Sequence, residues 1–131
     1  MNRIRTSLVS LAAGTLLVAP LVVATAGPAN AAGEKERHFR VDGALVDFSV
    51  EKERRHFDVD VDLDGATPGT QWRVVLRHDG KVVSRTTRTA DRDGDVDVDV
   101  RSNDTAGADT FKVTVKRVGG AKKSATVSFP R

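Results

Sequence analysis

The sequence has no cysteine and no tyrosine, and only one tryptophan and one methionine in 131 residues. Without cysteine there can be no disulfide scaffold, thiolate zinc site, cysteine nucleophile or lipoprotein anchor. Beyond Trp72 there is no aromatic platform for a sugar chain. An excess of one charge is also missing, with 21 basic residues against 18 acidic ones and a net charge of +3. Arg3 and Arg5 fall in the first 31 residues and no acid does, so +3 drops to +1 for the rest of the chain. That balance excludes binding driven by overall positive charge, and no nucleic-acid partner is expected.

Only one long apolar run is present, and it lies at the start. Met1-Asn2-Arg3-Ile4-Arg5 is a short basic stretch, Ser7 to Ala26 is uncharged, and Ala29-Asn30-Ala31 supplies a small-x-small cleavage pattern. Residues 1–31 therefore read as a signal peptide cut after Ala31. The expected product is secreted or associated with the cell envelope, and it makes no membrane contact after cleavage. Residues 32–37 read as a flexible N-terminus and 38–131 as one domain. About 100 residues suffice for a single core held by packing alone.

Beyond Phe39 the pattern alternates with period two, as in strands with one face to water. Val46, Phe48 and Val50 alternate with polar residues, as do Phe57, Val59, Val61 and Leu63. Trp72, Val74 and Leu76 follow, then a polar candidate strand from Lys81 to Thr89. Val96, Val98 and Val100, then Phe111, Val113 and Val115, then Ala125, Val127 and Phe129 complete seven strands. A further short strand at Phe39 to Val41 is compatible with the pattern. Asp79-Gly80 is a two-residue hairpin signal, and Pro68-Gly69, Asp93-Gly94 and Gly119-Gly120 mark further reversals. The fold class expected is all-β, with two antiparallel sheets packed face to face around Phe48, Phe57, Trp72, Phe111 and Phe129.

From Gly65 onward the punctuation resembles the bacterial immunoglobulin-like repeats of surface adhesins. The matching residues are Gly65-Ala66-Thr67-Pro68-Gly69-Thr70, the strand Trp72 to Leu76, Asp79-Gly80, Thr89-Ala90-Asp91 with Asp93-Gly94, and Ala106-Gly107 leading into Phe111 to Val115. The resemblance implies a seven-stranded immunoglobulin-like β-sandwich with a binding or spacer role and no catalytic residues. Such repeats usually stand in tandem, whereas this one stands alone.

Candidate chemistry is sparse. Asp60, Asp62 and Asp64 before Gly65, and a run that starts at Thr89 and continues through Asp91, Asp93, Gly94 and Asp95, have the oxygen spacing of calcium loops. Their twelfth positions are Gln71 and Val100 instead of a bidentate acid, so no metal or other cofactor is expected. His38, His56 and His78 show no metal-ligand spacing among themselves and read as surface groups. No serine sits in a nucleophile-elbow pattern, so no enzyme is expected.

The charges carry more information once placed on sheets. In an immunoglobulin-like order, one solvent face shows Asp47, Glu51, Asp58, Asp60, Asp62, Asp95, Asp97 and Asp99. The other shows Arg73, Arg77, Lys112 and Lys116, flanked by Lys122 and Lys123. The function expected is a secreted, non-catalytic binding module whose charged face engages an extracellular or cell-wall partner. The alternatives are a structural envelope protein that self-associates in a salt-sensitive way, and a secreted enzyme inhibitor, which would need a rigid exposed loop.

Overall fold

A computed structural model describes residues 33–131, and the expected signal peptide lies outside them. Eight strands follow in order: β1 (Glu34–Val41), β2 (Ala44–Lys52), β3 (His56–Asp64), β4 (Gln71–His78), β5 (Lys81–Thr89), β6 (Val96–Asn103), β7 (Asp109–Arg117) and β8 (Lys122–Phe129). They form two four-stranded antiparallel sheets, ordered β1-β2-β3-β6 and β5-β4-β7-β8. No helix occurs among the described residues.

The strand count corrects the expected seven, and the added element is β1. Residues 34–37, read as part of a flexible terminus, belong to this strand, with Glu34 opposite Glu51 and Arg37 opposite Phe48. Two features hid it. Only Val41 of its eight residues is buried, so the strand has almost no apolar signature. Its return onto β2 depends on Asp42-Gly43, which adopts φ values of 45° and 84°. Asp79-Gly80 does the same between β4 and β5, at 51° and 85°. Positive φ at both central positions matches the right-handed twist of the flanking strands, so both pairs close tight hairpins.

Alternation puts one set of side chains from each sheet into a shared interior. Val46, Phe48, Val50, Phe57, Val59, Val61 and Leu63 meet Trp72, Val74, Leu76, Phe111, Val113, Val115 and Val127, all at most 1% exposed. Phe57 of β3 bridges the layers, with its ring centroid 4.8 Å from Phe111 and 5.0 Å from Phe129. Burying each such side chain contributes about 1.5–3 kcal/mol, enough to hold a cysteine-free domain together. β5 contributes least, because Ser84 and Thr86 occupy its half-buried positions opposite Leu76 and Val74.

Candidate functional site

Residues that alternate out of the core form the two outer faces, and each face has its own sign. On the first sheet the register aligns His38, Asp47, Asp62 and Asp97 in one row across all four strands. The next row is Glu36, Ser49, Asp60 and Asp99, and the one after it Glu34, Glu51, Asp58 and Arg101. Two expected neighbours differ. Asp58 faces Arg101, whose Nε donates to it at 3.0 Å, and Asp95 stands beside Asp64 beyond the start of β6. A shallow hollow of about 310 Å³ lies on this face between Glu51, Asp58, Asp60 and Asp99.

Carboxylates placed directly across strands repel, and the face answers by taking up protons. Asp60 is pushed up to about 6, chiefly by the hydrogen bond it shares with Asp99, then by partial burial and the neighbouring charges. Asp62 is also pushed up to about 6, by partial burial first and then by its contact with Asp97. The Arg101 hydrogen bond works the other way and lowers Asp58. His38 closes its row with an imidazole whose Nδ1 is hydrogen-bonded to Asp47 Oδ1.

The outer face of the second sheet has the opposite sign. Arg73 pairs with Lys116, which pairs with Lys122, giving a row of cations across β4, β7 and β8. Arg77 opposite Lys112 makes a parallel row, and Arg85 lies across from Val75 on β5. Thr87, Thr114, Ser124 and Thr126 fill the positions between them. The one acid in these four strands is Asp109, and it is fully buried. Among the described residues, the Lys and Arg side chains that reach a carboxylate are Lys52, Arg101 and Arg117. Arg73, Arg77, Lys112 and Lys116 therefore have no carboxylate within reach, and Lys116 Nζ donates to the Gly120 carbonyl at 3.3 Å.

The two calcium-like runs behave differently. Asp60, Asp62 and Asp64 follow one another along the outer face of β3 and do not wrap round a point. Asp91, Asp93 and Asp95 do converge, each offering an oxygen within 4.8 Å of the others. Asp91 Oδ1 is already engaged, accepting from the backbone N–H groups of Asp93 and Asp95 at 2.9 Å. Local turn formation accounts for that convergence.

His78 was expected on the surface and lies in the interior, 5% exposed. Its Nε2 donates to Asp109 Oδ1 at 2.7 Å, and its Nδ1 meets Ser102 Oγ at 2.8 Å. The ring stacks on Phe111, with centroids 4.1 Å apart. His78 and Asp109 belong to the second sheet and Ser102 to the first, so this network ties the layers together. Burial alone would raise the Asp109 carboxyl, but hydrogen bonds from Thr105 and His78 outweigh it and hold the group below its usual value.

No protein-family model matches the chain, and no curated protein matches it. The functional reading therefore rests on the geometry of the two faces and of the buried cluster.

Proposed function

We propose that this chain is an exported, non-catalytic binding module of immunoglobulin-like architecture. Its ligand is an anionic polymer of the cell envelope, held on the outer face of the β5-β4-β7-β8 sheet. One observation carries the reading, namely the rows Arg73-Lys116-Lys122 and Arg77-Lys112, which lie on a face without a carboxylate. Cations across neighbouring strands repel one another, and an array left uncompensated costs stability that a polyanion restores. The interleaved Thr and Ser hydroxyls add neutral donors that suit phosphate or carboxylate groups spaced along a polymer.

The immunoglobulin-like assignment draws on the turn residues from Gly65 onward and on the pairing of β2, β3 and β6 in one sheet and of β4, β7 and β8 in the other. A second reading is favoured by the acidic face on the opposite side of the same molecule: copies could stack, acidic face on basic face. Sedimentation of the protein with washed, phosphate-rich wall polymer separates the two. Binding that is lost at high salt and in a Lys112→Glu, Arg77→Glu variant, with a monomer throughout when no polymer is present, supports the first reading. Salt-sensitive association without polymer, abolished by the same variant, supports the second. Polymer binding unchanged in the variant would overturn the assignment of the face.

A further inference from the structure

The face chemistry leaves unused a cluster of polar groups at one end of the two layers, where the β4–β5 turn meets the loop between β6 and β7. His78 Nε2 lies 2.7 Å from Asp109 Oδ1 and 3.6 Å from Asp79 Oδ2, and each of the three residues offers one ligand atom within 4.8 Å of the other two. Zinc–nitrogen and zinc–oxygen bonds are about 2 Å long, so small side-chain shifts bring the three groups onto one ion. We propose that His78, Asp79 and Asp109 bind a zinc ion.

Three observations argue for a cation. The first is a shortage of protons. Thr105 Oγ1 lies 2.7 Å from Asp109 Oδ1 and 2.9 Å from Asp79 Oδ2, but its single hydrogen can satisfy only one of them. Asp109 Oδ1 also accepts from the Thr105 N–H at 3.2 Å, so the shortage falls on Asp79 Oδ2, where a divalent ion compensates the charge. The second is Asp109 itself, which is fully buried and whose Oδ2 has no hydrogen-bond partner. A buried carboxylate oxygen without a donor is costly, and a metal bound through Oδ2 satisfies it.

The third is the environment of the imidazole. When Nε2 binds a metal, Nδ1 must carry the ring proton and needs an acceptor, which Ser102 Oγ provides at 2.8 Å. With the ion bound, Ser102 is a positioning residue, accepting from Nδ1 and holding the ring plane. A cavity of about 460 Å³, lined in part by His78, Asp79, Ser102 and Thr105, gives the ion a route in and leaves room for a water in the fourth position. One nitrogen with carboxylate oxygens suits zinc better than calcium, which prefers an all-oxygen shell. The bound ion would pin the Asp79-Gly80 turn to β7 at its Asp109 end, a role independent of polymer binding on the sheet face.

The test is calorimetric and thermal titration of the chelator-treated protein with zinc, in enough salt to screen the acidic face. One saturable equivalent is expected, with a melting temperature that stops rising at that point. Asp79→Asn should weaken binding at least about tenfold, and Ser102→Ala by about tenfold. Asn tolerates the positive φ of Asp79 and keeps an acceptor for the Thr110 N–H, so the variant should fold. The nitrogen chemical shift of His78 Nε2 should move on saturation. The proposal fails if no saturable binding appears, or if calcium produces the same shift. It also fails if Asp79→Asn binds normally while His38→Gln, at the exposed Asp47 contact, does not.

Discussion

Asp60 and Asp99 stand directly opposite each other on β3 and β6, two carboxyl groups sharing one hydrogen bond on a face open to water. Asp62 and Asp97 repeat the arrangement one step along the strands. Two adjacent like-charge pairs in register are an energetic burden on the fold, and several measurable consequences follow from them.

Asp60→Asn should stabilise the protein near neutral pH by about 0.2–1 kcal/mol, the range for a cross-strand pair. Salt shortens the reach of the repulsion, so the gain should shrink between about 20 mM and about 0.5 M sodium chloride. Urea denaturation at the two salt concentrations reads both effects. A loss of stability at low salt would mean that Asp60 has a cationic partner.

Proton uptake by the same groups sets the pH profile. With Asp60 and Asp62 raised to about 6 in the folded protein, the folded state holds protons that the unfolded chain has released. Their contribution is full below the ordinary carboxylate range and is lost as pH rises through about 6. Asp58 and Asp109 are lowered, so their contribution is present above that range and is lost as pH falls through their depressed values. Stability should therefore be greatest near the ordinary carboxylate value, at about pH 4, and melting curves should show a higher midpoint there than at neutral pH. The Asp60→Asn, Asp62→Asn double variant should flatten the decline on the alkaline side.

Trp72 is 1% exposed, and its Nε1–H donates to Thr70 Oγ1 at 2.9 Å. Trp72→Ala should cost about 3–5 kcal/mol in chemical denaturation, since a large side chain is removed from an interior that closes only partly over the gap. A midpoint near that of the parent would place the ring on the surface.

Gly94 joins two loops by tight backbone contact. It has φ of 83°, and a Cβ added there would lie 2.3 Å from the Ala66 carbonyl oxygen. The Ala66 N–H donates to the Gly94 carbonyl at 3.0 Å, so neither loop can retreat without losing a hydrogen bond. Gly94→Ala should lose about 1–3 kcal/mol from the backbone conformation alone, with the steric overlap added to it. Thermal melting of this variant beside Gly69→Ala, which has the same sign of φ and open space around it, isolates the steric part.

Much of the architecture was legible because charge and hydrophobicity alternate so regularly. Phe57-Asp58-Val59-Asp60-Val61 fixes which side chains face inward before any partner strand is known, and the Asp79-Gly80 hairpin follows from two residues. β1 was legible only at Phe39 to Val41, since Glu34 to Arg37 carries charge on both sides and is held by its ladder with β2. The buried cluster was half legible. His78 is the next inward step after Trp72, Val74 and Leu76, Ser102 the next after Val96, Val98 and Val100, and Asp109 the step before Phe111 and Val113. Each position could be read as inward. That the three meet depends on strand register over separations of 24 and 31 residues, which local pattern does not contain.

The opposed faces also govern how the molecule behaves on charged matrices. Residues 33–131 have an excess of one positive charge, which by itself predicts negligible retention on ion-exchange resin of either sign. The charges are instead sorted onto surfaces separated by the thickness of two stacked sheets, about 10 Å plus the outward side chains. The protein therefore has a strong dipole along the sheet normal and can turn either side to a support. A cation exchanger meets the β4 and β7 side and an anion exchanger the β3 and β6 side, so the same near-neutral protein should be held by both and released from both by salt.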